Sequence, residues 1–171
     1  MVIPEASLVL LIGASGSGKS TFGRKHFKST EIVSSDHCRA LVCDDENDQS
    51  ASRDAFELLR LIVAKRLSRR RVSVVDATNV QPAARRDLRK IATQHAVPIV
   101  AIVLDLPERV CMANNRERAT RIVPATIIRR QIRDLKASLP KLEKESFASI
   151  YTFETQAEVE KVKIRRVARR T

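Results

Sequence analysis

Apolar residues fall into short uninterrupted runs separated by stretches of helical period, and the order of those runs predicts the architecture. Leu8 to Ile12, Glu31 to Val33, Val72 to Val75 ending in Asp76, Val97 to Leu104 and Ser149 to Phe153 read as strands. Val97 to Leu104 is an uninterrupted apolar run, as suits a strand covered on both faces. Between the strands, Lys19 to His26 is compatible with a helix, and Ala55 to Leu67 carries Phe56, Leu59, Ile62, Val63 and Leu67 at helical spacing. Pro82, Pro107 and Pro124 each open a further helix, running to Gln94, about Asn115 and about Leu139, because proline fits the first helical turn, where no N–H is needed. A short helix and a basic tail over about 161–171 complete the chain. Strands alternating with helices predict βαβ units and hence a parallel sheet with helices on both faces, in one α/β domain over 1–171.

Ligands of such sheets bind beyond the carboxyl ends of the strands. Gly13-Ala14-Ser15-Gly16-Ser17-Gly18-Lys19-Ser20-Thr21 follows the first of the longer strands and satisfies G-x-x-x-x-G-K-[ST]. The glycines let backbone N–H groups turn inward around nucleotide phosphates, Lys19 reaches the β- and γ-phosphates, and the Ser20 hydroxyl is placed to ligate Mg²⁺. After the second strand, Ser34-Ser35-Asp36-His37-Cys38-Arg39 sets a carboxylate and a guanidinium three residues apart, on one face of a helical turn. Asp36 is the candidate general base for a hydroxyl nucleophile, and a helix N-cap is its alternative role. Asp76, at the end of a strand, is placed to bind Mg²⁺ or to orient an arginine, while Thr78 and Asn79 are placed to contact substrate or cap the next helix. The segment of about 114–123, Asn114-Asn115-Arg116-Glu117-Arg118-Ala119-Thr120-Arg121 and on to Val123, predicts an arginine-rich lid closing over donor phosphates. Asp44-Asp45-Glu46-Asn47-Asp48-Gln49 matches no EF-hand spacing and reads on its own as a solvated loop.

Charge sharpens this picture. The 171 residues carry a formal net charge of +12, with the cations concentrated in Arg60 to Arg71, Arg85 to Lys90, Arg116 to Arg133 and Lys161 to Arg170. That favours a polyanionic partner. Aromatic residues make up 4%, too few to stack several bases, so a nucleic acid would be gripped through its phosphates. Three cysteines without a C-x-x-C pair suit a reducing, cytoplasmic setting. No apolar run approaches the length of a bilayer span, and the leading residues run directly into the phosphate loop, so neither a membrane anchor nor a signal peptide is expected.

In this order, the phosphate loop, Ser34 to Arg39, Asp44 to Gln49, Val74-Val75-Asp76-Ala77-Thr78-Asn79 and the arginine-rich lid resemble the 5′-OH polynucleotide kinases. The likeness is strongest to the N-terminal kinase domain of bacterial polynucleotide kinase-phosphatase, the end-healing part of an RNA repair system, and it covers nearly the whole chain. The resemblance implies a P-loop phosphotransferase that uses ATP and Mg²⁺ (or Mn²⁺) and acts on 5′-OH ends of RNA or DNA. It implies that Gly13 to Thr21 hold the donor, that Asp36 activates the 5′-OH, that Lys19 and Arg118 assist catalysis, and that Arg118 and Arg121 cover the donor phosphates. Arg39 would hold an acceptor phosphate, with Gln49, Asp76 and Asn79 on the acceptor side. The family lid often has an additional arginine where Asn114 stands, a role for which Arg116 is the candidate substitute. Phosphatase and ligase modules that accompany such kinases are absent from this sequence and are the implied partners. Two alternatives remain: a small-molecule or nucleotide kinase of the same fold, and an NTP-dependent nucleic-acid-binding module that transfers nothing.

Overall fold

The computed structural model describes residues 1–118 and 122–168. Along the chain, β1 (Val2–Pro4) and β2 (Leu8–Gly13) lead into α1 (Lys19–His26), followed by β3 (Ile32–Ser34), α2 (Ser35–Cys43), α3 (Ser52–Ser68) and β4 (Ser73–Asp76). Then come α4 (Pro82–Gln94), β5 (Ile99–Leu104), α5 (Glu108–Arg116), α6 (Ala125–Leu142), β6 (Ser149–Phe153), α7 (Gln156–Lys161) and β7 (Arg165–Val167). The main sheet has the order β3-β4-β2-β5-β6 and every pairing in it is parallel. As the apolar runs predict, this is an α/β sheet with helices on both faces.

The alternation of side chains along β2 divides the core between those faces. Leu8, Leu10 and Ile12 pack with Leu59, Val63 and Leu67 of α3, Leu88 of α4 and Leu135 of α6. Val9 and Leu11 point the other way, into a cluster with Ile3, Phe22 and Phe27. All five β2 side chains are fully buried, each contributing about 1.5–3 kcal/mol relative to exposure. That rigid strand is the platform on which the phosphate loop stands.

Several predicted elements shift at their ends for local reasons. The run from Val97 becomes a strand only at Ile99: the Val97 N–H donates to the Ala92 carbonyl to close α4, and Pro98 has no N–H for a ladder. The helix expected to stop near Leu139 continues through Pro140 to Leu142. Ser35–Cys43, expected only as a helical turn, is a full helix whose cap is Ser34, with its side chain accepting from the His37 N–H at 3.4 Å. Part of the basic tail forms β7, which pairs in parallel with β1; residues 169–171 lie outside the described ones. Cys38, Cys43 and Cys111 are free thiols, and no helix among the described residues is long and apolar enough to cross a membrane.

Candidate active site

The phosphate loop wraps the N-terminus of α1 at the carboxyl end of the central strand, and two of its glycines are dictated by packing. Gly16 has φ 81°, and a Cβ there would lie 2.1 Å from the Cys111 carbonyl oxygen. A Cβ on Gly13 would lie 2.8 Å from the Leu104 carbonyl oxygen. Alanine at either position would have to displace backbone, which rigid strands and helices resist. Gly18, at φ 89°, ends the loop and caps α1, whose first N–H groups are left open toward a cleft of about 950 Å³. A helix N-terminus of this kind attracts phosphate.

Lys19 is buried, and its Nζ donates to the carbonyls of Gly13 at 2.9 Å and Ala14 at 2.7 Å. Burial lowers its pKa from 10.5 to about 8; Asp76 and Asp36 pull it back up, and Arg118 pushes it further down. Three groups predicted from the sequence, Asp36, Asp76 and Arg118, therefore lie within electrostatic reach of Lys19. This has a measurable consequence. Below about pH 8 the free protein already carries the ammonium that anionic phosphates require, whereas above it binding must take up a proton. Nucleotide affinity should hold steady up to about pH 8 and then fall by up to about tenfold per pH unit. Calorimetric titration with ATP in buffers of different ionisation enthalpy would show the proton uptake; affinity unchanged up to about pH 9.5 would contradict it.

Asp36 sits in the first turn of α2 and lines the same cleft. Its Oδ1 accepts from Arg39 Nη1 at 2.8 Å. The N-cap alternative is thus taken by Ser34, and the carboxylate is left 44% exposed on the cleft side of a buried guanidinium. Arg39 Nη1 also donates to the Glu46 carbonyl at 2.7 Å, while its Nε is buried without a hydrogen-bond partner among the described residues. Arg39 so ties the acidic block to the site, and Glu46 and Gln49 of that block line the cleft. Asp48 caps the turn behind them by accepting from the Ser50 N–H and hydroxyl.

Asp76 ends β4 opposite Ser34 of β3 and is largely buried at the cleft wall. Asn79 points elsewhere. Its φ is 50° and its amide donates to the carbonyls of Leu11 and Ala77, so its side chain braces the Asp76–Asn79 loop against β2. The Gly13 N–H donates to the Thr78 carbonyl at 3.0 Å, fastening this loop to the phosphate loop. Behind both, the fully buried Arg85 donates to the Asn79 carbonyl and forms a double hydrogen bond with Glu145. Arg85 therefore belongs to the interior and not to the basic surface its neighbours suggest. The oxygen donors that Ser20 and Asp76 offer at the cleft wall suit a hard divalent cation such as Mg²⁺ or Mn²⁺.

Of the segment expected to form a lid, Arg118 and Asn114 line the cleft, and Arg116 does not. Asn114 Nδ2 donates to the Gly16 carbonyl at 2.8 Å, so where an arginine would reach for phosphate, an amide holds the loop. Arg121 lies outside the described residues. Five residues contribute in ways the sequence did not announce. Gln131 of α6 accepts the Ser15 N–H at 2.8 Å. Asn115 exchanges two hydrogen bonds with the backbone of Val123, tying the end of α5 to the approach of α6. Leu106, Gln156 and Val159 close the cleft wall beside α7. None carries a motif: a lone glutamine or asparagine on a polar helix face looks like solvated surface until the tertiary fold is known.

Residues 8–142 match the AAA domain family. The chain belongs to that family. Its five-stranded parallel sheet, with the phosphate loop after the central strand, is a fold it shares with solved structures. A chain of the Pnkp1/Rnl/Hen1 RNA repair complex is 24% identical, with a TM-score of 0.68 over 81% of this chain and 47% of that one. A gluconokinase from Sinorhizobium meliloti 1021 is 16% identical, with a TM-score of 0.55 over 92% of this chain and 89% of its own. A chain of the AvrRxo1-ORF1:-ORF2 complex with ATP is 11% identical, with a TM-score of 0.70 over 89% of this chain and 55% of that one. This AAA domain spans just under half the length of the repair-complex chains it resembles, 47% and 42%. No curated protein matches its sequence.

Proposed function

We propose that this AAA domain is an ATP-dependent polynucleotide 5′-hydroxyl kinase. The observation that carries the reading is one cleft that unites the Lys19 phosphate loop with Asp36, a carboxylate held by buried Arg39 and 44% exposed. In the reaction, the acceptor oxygen bonds to the γ-phosphorus of ATP, the bond from that phosphorus to the ADP oxygen breaks, and Asp36 takes the hydroxyl proton. Lys19 and Arg118 stabilise charge shared between the β- and γ-phosphates, and Arg121 is assigned to the same task. The acceptor strand enters past Arg39, Gln49 and Asp76, with Asn79 supporting that wall from behind. A Mg²⁺ ion held by Ser20 and the donor phosphates would neutralise charge on the transferring group.

The polynucleotide assignment draws on the net charge of +12, on the S-S-D-x-x-R and D-D-E-N-D-Q text, and on the shared fold with a chain of an RNA repair complex. The 5′-OH specificity and assembly with phosphatase and ligase partners draw on the same resemblance, and a reducing cytoplasm on the three cysteines without a C-x-x-C pair. A small-molecule kinase is the second reading, favoured by the near full-length match of the gluconokinase. Incubation with γ-labelled ATP, Mg²⁺ and matched oligonucleotides bearing 5′-OH or 5′-phosphate separates them. Label should enter only the 5′-OH strand, and binding of that strand should weaken with salt at a log-log slope of about −0.7 per phosphate gripped. Salt-insensitive labelling of a sugar or mononucleotide would establish the small-molecule kinase, and hydrolysis with no labelled hydroxyl would establish a non-transferring module.

A further inference from the structure

The end of the sheet opposite the cleft carries a second concentration of cations. Exposed Arg69, Arg70 and Arg71 form the turn between α3 and β4, and Arg70 Nη1 donates to the His95 carbonyl at 3.2 Å, which draws that turn against the C-terminal end of α4. There Arg86, Arg89, Lys90, Thr93 and Gln94 join Ser146 around a groove of about 390 Å³ that reaches Ile99. Ile99 opens β5, whereas Leu104 at its other end pairs with Gly13 of the phosphate loop. Six residues at about 3.3 Å each put the groove roughly 17–20 Å from the cleft.

Among the described residues two carboxylates pair with these cations, and the two leave the patch with an excess of positive charge. Glu145 is engaged by buried Arg85 and lies 3.6 Å from Arg89. Asp87 lies 4.0 Å from Lys90 with both side chains exposed, a pairing that contributes little in water. Arg69, Arg71 and Arg86 make no ion pair among the described residues. Like charges crowded in this way repel one another and favour a polyanion. The Ser146 hydroxyl and the Gln94 amide add neutral donors of the kind that contact phosphates, the Thr93 hydroxyl being engaged with the Arg89 carbonyl at 3.0 Å, and no aromatic side chain among the described residues lines the groove for a base to stack on.

We propose that this face is a second polynucleotide-binding surface that grips the phosphate backbone away from the reacting end. The path from cleft to groove rests on the kinase reading; binding at the groove needs no phosphoryl transfer. At about 3.4 Å per nucleotide, a strand needs about six nucleotides or more to cover both.

The test uses fluorescent oligonucleotides of about 4 and about 20 nucleotides, shorter and longer than that span, already phosphorylated at the 5′ end so that the result is independent of any kinase activity. Anisotropy titrations compare the wild type with the combined variant Arg69→Gln, Arg71→Gln, Arg86→Gln, Lys90→Gln. The longer strand should bind the variant by about tenfold or more less tightly, with a salt slope shallower by about 0.7 for each phosphate no longer neutralised. Binding of the shorter strand and of ATP should not change, which also shows that the variant is folded. Equal affinity and slope for the longer strand in the two proteins would overturn the proposal, as would a parallel weakening of the shorter strand. Loss of binding to phosphatidylserine vesicles with binding of the longer strand retained would overturn it in favour of a lipid surface.

Discussion

Lys19→Ala is expected to leave a folded protein in which ATP binding is lost and phosphoryl transfer falls by about 10²–10³-fold or more. The ammonium is bonded to the Gly13 and Ala14 carbonyls inside the phosphate loop, and no other Lys, Arg or His side chain hydrogen-bonds to that loop among the described residues. Its removal should not unfold the domain, because the charge is a cost in the free protein. Burial holds the folded pKa near 8, below the unfolded 10.5, so the unfolded chain binds the extra proton between those values. The cost is full below about pH 8 and vanishes as pH rises past 10.5. Without ligand the variant should melt no lower than the wild type at neutral pH, and ATP should no longer raise its melting temperature. Differential scanning fluorimetry with and without ATP, paired with the labelling assay, reads both. A variant that keeps full transfer, or keeps the ATP-induced shift, would show that the loop does not hold the donor.

The parts of this molecule written in contiguous residues were legible in the sequence, and the parts assembled across the chain were not. The phosphate loop, β2, β4, β5 and their helices each follow from a local pattern of apolar runs and prolines. β1 and β7 are three residues each and find one another from opposite ends of the chain, so no periodicity announces them. Asp36 and Arg39 could be paired from their spacing, but the Arg39 bond to the Glu46 carbonyl depends on how the acidic loop folds back. The charge clusters show the same division. Arg85 and Arg86 are adjacent in sequence, yet helical geometry turns one into a buried pair with Glu145 and leaves the other on the surface. Gln131, which meets the Ser15 N–H from 116 residues away, has meaning only once α6 has packed beside the phosphate loop.

Asp36→Asn is the variant that separates chemistry from binding, with transfer expected to fall by about 10²–10⁴-fold while ATP affinity stays near that of the wild type. The amide keeps the size of the carboxylate and an oxygen able to accept from Arg39 Nη1 at the 2.8 Å position now occupied. It cannot take up the acceptor's proton. The charge lost is one that raises the Lys19 pKa, though it is the smallest of the contributions that do so, so the pH above which ATP binding weakens should move down only slightly. Arg39→Ala provides the contrast. It removes the clamp on Asp36 and the tie to Glu46 together, so acceptor KM should rise along with the loss in kcat, whereas Asp36→Asn should act on kcat nearly alone. Steady-state labelling of a 5′-OH oligonucleotide and a separate ATP titration distinguish the cases. If Asp36→Asn loses ATP affinity in step with transfer, the carboxylate is a structural member of the phosphate site and the base must be sought elsewhere along the cleft, with Asp76 the remaining carboxylate within reach of Lys19.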